Sequence, residues 1–267
     1  MVLSLTSPRW QSLSHAYGDG TDVPDMLRTL QDPSADVREA AWHKVWSALC
    51  HQDTVYTATY AAIPYLVEQA ARIGASDSKR AHYLIFVGVV AMSTDAAPIP
   101  DDLRLDYVAA LSRAVPLVLG AIEAKTTPIG TFVYLLQSLA ALHGCMKMAE
   151  LMNGFIDGEF TPRCPAPRCG VELYVTIENA TMFATLEDPA TSVVGTRTEI
   201  SPPPTAVASV AGTWRDAAVL PLLVELARHA GHHELATKLA LLDGRITCPK
   251  CLEQFVLRTA LLSAKLR

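Results

Sequence analysis

Four cysteines in two short phrases hold the densest chemistry in this sequence: Cys164-Pro-Ala-Pro-Arg-Cys169 and Cys248-Pro-Lys-Cys251. Thiolates are good donors to borderline and soft metal ions, and two cysteines a few residues apart can grip one ion from a single tight turn. A proline follows the first cysteine of each phrase, and Gly170 follows the second cysteine of the first. These are knuckle features: tight turns whose backbone N–H groups can point at sulfur. Two knuckles from separated segments can complete a tetrahedral site, so the expected ligands of a structural zinc are Cys164, Cys169, Cys248 and Cys251. Four thiolates leave no open coordination position, and such an ion fastens rather than catalyses. A disulfide or redox pair is the competing reading. A reducing compartment argues against permanent disulfides, and no βαβ pattern frames the CxxC as a thioredoxin-like motif requires. Cys50 and Cys145 stand alone on apolar helical faces and read as small core residues.

Two further constellations hold histidine. In His51-Gln52-Asp53-Thr54 an acid–base pair is one reading. The other has Asp53 or Thr54 capping the following helix and His51 meeting free carbonyls at the end of the preceding one. His232-His233-Glu234 offers metal-binding side chains, but neighbours on a helix point apart, and Gly231 before them favours a helix–helix turn. No HExxH, Walker loop, GxSxG or dinucleotide fingerprint is present, so the expectation is a protein without catalytic activity.

The elements that must position these residues read as mostly helical. Asp36–Ala71 repeats its apolar residues every three or four positions, from Val37, Ala40, Ala41, Val45 and Leu49 to Tyr60, Ile63, Leu66, Val67 and Ala70. That spacing predicts two amphipathic helices joined by a short turn. Trp42, Trp46, Tyr56, Tyr60 and Tyr65 crowd this hairpin, as core or as surface anchors. Residues 1–35 form a loose lead-in, and Asp32-Pro33-Ser34 with Asp36 supplies a helix start. Residues 79–92 read as a buried helix or, with their β-branched content, a strand. Helices are expected at 101–125, 128–144 with a continuation toward 152, 214–230, 232–242 and 252–266. Between them, residues 154–204 lose helical periodicity; 172–177 and 182–186 alternate as strands, and Ser201-Pro-Pro-Pro204 ends the stretch. The expected organisation is helical repeats over 1–153, a β-hairpin and zinc-knuckle module with a proline-rich linker over 154–211, and a helical repeat with the second knuckle over 212–267.

A proline recurs in one local phrase: AAIPYLVEQA around Pro64, RAVPLVLGAI around Pro116 and AVLPLLVELA around Pro221. Repeats built from helix pairs point to an α-solenoid. The phrase A-x-[IVL]-P-x-L-x-E, complete at Pro64 and Pro221 and half kept at Pro116, resembles HEAT and armadillo-like repeats over residues 30–150 and 212–245. The longer phrase LCHQDTVYTATYAAIPYLVE (residues 49–68) is similar to bacterial HEAT-like proteins, some of which are immunity proteins against toxins of type VI secretion or polymorphic toxin systems. The resemblance implies a mainly α, HEAT-like α-solenoid of stacked helix pairs. It also implies protein binding, with no catalysis.

Half of the 267 residues are apolar and 18% are charged, with a formal net charge of −5. That balance gives little support for general nucleic-acid binding. Charge is uneven: from Asp19 to Asp53 seven acidic residues face three basic ones, and Asp101, Asp102 and Asp106 follow. Asp19, Asp22, Asp25, Asp53, Tyr56, Asp101, Asp102 and Asp106 are the expected partner surface, whose sign suits a basic protein such as a nuclease toxin. The stretch after Gly244 is basic, with Arg245, Lys250, Arg258, Lys265 and Arg267 against Glu253. With the knuckles it motivates the alternative of a zinc-containing nucleic-acid-binding or scaffold protein. The first residues show neither a basic leader nor a cleavage pattern, and no stretch has the purity of a membrane span, so a cytoplasmic protein without membrane contact is expected. A homodimer is a further possibility for exposed end helices.

Overall fold

The computed structural model describes residues 1–124, 127–188, 197–203 and 219–263. The chain forms two compact units, residues 1–127 and 128–267. The helices expected at 128–144 and 145–152 therefore fall in the second unit, apart from the other helices of the expected segment 1–153. The expected linker from Pro204 to residue 211, the first residues of the helix expected at 214, and the basic Lys265 and Arg267 lie outside the described residues.

The first unit opens with a 3-10 turn and a two-strand hairpin, β1 (Ser14–His15) and β2 (Gly18–Asp19). Helices α1 (Val23–Thr29) and α2 (Ala35–Leu49) follow. Ser34 caps α2, its side chain accepting from the Val37 N–H, as the turn residues before it predict. Strands β3 (Cys50–His51) and β4 (Thr54–Val55) then lead into α3 (Thr57–Arg72), α4 (Ser78–Met92), β5 (Asp95–Ala96) and α5 (Asp101–Glu123). Residues 78–92 are thus helix, settling the choice between helix and strand. Helix α3 packs on α4 and α5, and α4 on α5. Trp42 and Trp46 of α2 meet Tyr83 and Phe86 of α4 edge to face, at centroid distances of 4.7 Å for Trp42–Tyr83 and 5.0 Å for Trp46–Phe86. Tyr60 and Tyr107 pair in the same way across α3 and α5. Trp42 and Tyr60 are buried with Tyr83 and Phe86, while Trp46, Tyr56 and Tyr65 are half-buried, so the hairpin's aromatics divide between core and its edge.

Pro64 and Pro116 lie inside α3 and α5. Each removes one backbone donor from its helix, a defect costing about 3 kcal/mol in an unpacked helix. Pro64 is buried, while Pro116 is exposed. Helix α5 alone among the described residues has the length and mean hydropathy of a membrane span. Its Leu103, Tyr107, Ala110, Ala114, Val118, Ala121 and Ile122 are buried, the spacing of a helix with one face in a protein core.

The second unit begins with α6 (Ile129–Leu142) packed on α7 (Met146–Asp157). Gly158, at φ +83°, ends α7 in the left-handed conformation, the usual glycine stop. A four-stranded antiparallel sheet follows in the order β6 (Glu159–Phe160), β7 (Tyr174–Glu178), β8 (Thr181–Thr185), β9 (Thr198–Glu199). The two alternating segments of the sequence thus form the β7–β8 hairpin, with Tyr174 opposite Thr185. Helices α8 (Val219–His229) and α9 (His233–Ala240) pack together. Then come the hairpin β10 (Arg245–Thr247) and β11 (Gln254–Val256), and α10 (Leu257–Ser263). The helix expected from residue 252 starts later, because Gln254–Val256 pairs with β10. Phe132, Leu135, Leu136 and Leu139 of α6 and Met148 of α7 are fully buried and form the core here.

Candidate metal centre

Each knuckle sits in a tight turn beside the sheets. In the first, the Cys164 N–H donates to the Val171 carbonyl at 2.9 Å, and those of Cys169 and Gly170 donate to the Ala166 carbonyl. In the second, the Cys248 N–H donates to the Glu253 carbonyl at 2.9 Å, and that of Leu252 to the Cys248 carbonyl. The two turns follow one rule. The first cysteine's N–H bonds the carbonyl two residues beyond the second cysteine, and the residue after the second cysteine is left-handed. Gly170 has φ +54° and Leu252 φ +64°. Glycine takes that conformation freely; leucine is strained in it by about 1–2 kcal/mol. The second knuckle holds the same turn without the glycine that would make it cheap.

The turns bring all four sulfurs within 4.8 Å of one another. Cys164 Sγ lies 3.6 Å from Cys251 Sγ, and Cys169 Sγ lies 3.9 Å from Cys248 Sγ. A tetrahedron of sulfurs about 2.3 Å from a central ion has edges of roughly 3.8 Å. The cluster therefore has the size of a four-sulfur metal site and not of a disulfide, whose sulfurs are about 2.05 Å apart. Cys164 and Cys248 are buried, Cys169 is half-buried and Cys251 is exposed. Burial pushes the Cys164 thiol up to about 12, opposed by the Ala166 N–H. A hydrogen bond from the Val171 backbone lowers Cys169. Backbone N–H groups aimed at sulfur favour thiolate, the form that binds metal. The donor set, the spacing and the backbone donors all fit a closed four-thiolate metal site.

The centre joins two parts of the second unit. One knuckle belongs to the segment between β6 and β7, the other to the turn between β10 and β11. Ser201 and Arg245 exchange backbone hydrogen bonds, both at 3.0 Å, linking the end of β9 to β10. Gly244 allows that approach: a Cβ there would stand 2.6 Å from the Ser201 carbonyl oxygen and 2.8 Å from the Ile200 side chain.

The expected partner residues all lie in the first unit. Asp19, Asp22, Asp25, Asp53, Asp101 and Asp102 are exposed, while Tyr56 and Asp106 are half-buried. Most carry an internal partner. Asp22 meets His15, Asp25 Arg28, Asp101 Arg104 and Asp102 Arg9, and Asp106 meets the terminal amine. Asp19 accepts from Thr21. Asp53 sits in the β3–β4 turn at φ +64°, following Gln52 at φ +49°. It does not cap α3, and neither does Thr54, whose hydroxyl donates to Asp95. The start of α3 is held at Tyr56, whose N–H donates to Thr59 Oγ1. The cause is simple: the β3–β4 hairpin, residues 50–55, separates the helix ends, so the cap falls later.

The two histidine constellations of the sequence lie apart, each against an aromatic ring. His51 lies against Tyr17, whose hydroxyl is 3.4 Å from His51 Nδ1. His232 packs on Phe132 at the turn after Gly231, and Glu234 pairs with Lys238. The sequence reading missed one pair, His15 and Asp22, 2.9 Å apart. Its other ring nitrogen accepts the Tyr17 N–H, so the ring is fastened on both sides and holds the β1–β2 hairpin. A pocket of about 430 Å³ in the first unit is lined largely by Val2, Pro64, Val67, Ala71 and Leu117, with Glu68 and Arg113 as its charged groups. Glu68 is already paired with Arg72. Compared with known proteins, the chain matches no family model, no curated protein and no solved structure.

Proposed function

We propose that this chain is a non-enzymatic, protein-binding immunity protein whose second unit is held by one structural zinc. In this reading its helix pairs are HEAT-like repeats, and it acts in the cytoplasm by occluding the active site of a co-produced secreted toxin, a nuclease. The observation that carries protein binding is on α5. Leu105 and Val108 are 83% and 52% exposed, one and two turns along the helix from the exposed Asp101 and Asp102. Apolar anchors beside carboxylates suit a basic partner surface, the kind a nuclease presents to phosphate. Four thiolates in a closed tetrahedron suit zinc.

The test is capture from the native host, with the intact chain and with Leu105→Asp. The intact chain should retain a basic toxin and abolish its killing on co-expression. The variant should fold equally well, because Leu105 is exposed, and lose the complex by at least about tenfold, the loss expected of an interface anchor. Retention of the partner by Leu105→Asp, or full toxicity beside the intact chain, contradicts the reading. A second reading, nucleic-acid binding, draws on Arg168 and Lys250. They are exposed and hold the same place in the two knuckles, just before the second cysteine. It requires salt-dependent binding of DNA or RNA.

A further inference from the structure

The arrangement of the four sulfurs sets how this centre responds to oxidation. We propose that it is a modification site for hydroperoxides, at which zinc is exchanged for two disulfides that join knuckle to knuckle, Cys164 to Cys251 and Cys169 to Cys248. The inference rests on the zinc reading above for the metal it releases, and on sulfur geometry alone for the pairing.

Cys251 is the exposed member of the four. It is the sulfur a small oxidant reaches first. Its neighbour at 3.6 Å, Cys164 Sγ, belongs to the other knuckle. The remaining two sulfurs, on Cys169 and Cys248, also face each other across the knuckles, at 3.9 Å. Closing the first pair to a disulfide needs a movement of roughly 1.6 Å.

In the first step the Cys251 thiolate attacks one peroxide oxygen. The O–O bond breaks, an S–OH group forms, and the alkoxide or hydroxide that leaves takes up a proton. The Cys164 thiolate then attacks that sulfur. The S–S bond forms, the S–O bond breaks, and hydroxide leaves as water after taking a second proton. Two thiolates have lost two electrons and one peroxide has gained them. A second peroxide oxidises Cys169 and Cys248 in the same way. An ion that has lost its thiolate donors is released, because disulfide sulfur is a poor ligand. The oxidised chain would hold its two knuckles together covalently, without metal.

The sequence provides its own assay. Arg163, Arg168, Arg245 and Lys250 place a trypsin site before or between the cysteines, so each cysteine falls on a separate peptide: CPAPR, the peptide starting at Cys169, ITCPK and CLEQFVLR. Zinc-loaded full-length protein is treated with hydrogen peroxide, released zinc is followed with a chromogenic chelator, and remaining thiols are alkylated before digestion. The expected result is complete loss of zinc at about two equivalents of peroxide per chain, as four thiols require, with CPAPR cross-linked to CLEQFVLR. Cross-linking of ITCPK to CLEQFVLR, a sulfinic acid on Cys251 without cross-link, or zinc retained after excess peroxide would each overturn the proposal. Metal analysis before peroxide separates the two readings. Protein without zinc contradicts the metal reading, while the peptide map still decides the pairing.

Discussion

The two units solve the same problem, holding short elements in place, by different means. The first buries large side chains. Trp10, Leu49, Ile63, Leu66, Leu84, Phe86 and Ile122 are fully enclosed among helices of up to 23 residues. The part of the second unit around the sheets has strands of two to five residues and two turns that cross segments far apart in sequence. Its buried side chains, among them Phe160, Leu173, Val175, Met182, Ile200, Leu242, Ile246 and Leu257, are spread over these short elements. Short elements gain from a staple, and four converging thiols provide one. A metal ion bound by those thiols would add there the restraint that burial supplies in the first unit.

The sharpest way to break this comparison is to remove a buried ligand. Cys248→Ser should abolish zinc binding and cost the second unit several kcal/mol, since apparent binding free energies of structural zinc reach about 10 kcal/mol or more. Hydrogen exchange should then rise over residues 159–185 and 245–263 and stay unchanged in the first unit. Equal loss of protection in both units would contradict the division. The converse experiment is Phe86→Ala, expected to cost about 3–5 kcal/mol by leaving a cavity beside Trp42 and Trp46. Its zinc content should match that of the unaltered protein.

Smaller effects sharpen the picture. Leu252→Gly should stabilise the zinc-bound form by about 1 kcal/mol by relieving the left-handed strain at φ +64°. A higher melting temperature at equal zinc content is the readout. The smallest effect is electrostatic. Hydrogen bonding and charge from Arg9 lower the Asp102 pKa, so the contribution is present above the ordinary carboxylate range and disappears as pH falls through the lowered value. Asp102 is exposed and Arg9 half-buried, and solvent screening keeps it under about 1 kcal/mol. Arg9→Ala should lower the melting temperature slightly at pH 7, and the gap should close under strong acid.

Much of this was legible in the sequence where the governing interaction is local. Apolar periodicity marked α2 and α3, alternation marked β7 and β8, and the Cys-Pro pairs marked the knuckles. What escaped depends on distant partners. Asp53 and Thr54 read as caps because nothing local reveals the β3–β4 hairpin or the pairing of Thr54 with Asp95. Residues 254–256 read as helix because their strand character comes from β10. The break near residue 127 left no compositional mark, since helical pattern continues on both sides of it. The partners of the acidic residues, Arg9, Arg28 and Arg104, were not foreseen, because pairing depends on how side chains meet after folding.

The central claim is that Cys164, Cys169, Cys248 and Cys251 bind one metal ion as thiolates. Zinc-edge X-ray absorption on protein purified without chelator tests it most directly. The account predicts about one zinc per chain with four sulfur neighbours near 2.3 Å. Absence of zinc, or a first shell containing nitrogen or oxygen, would contradict it.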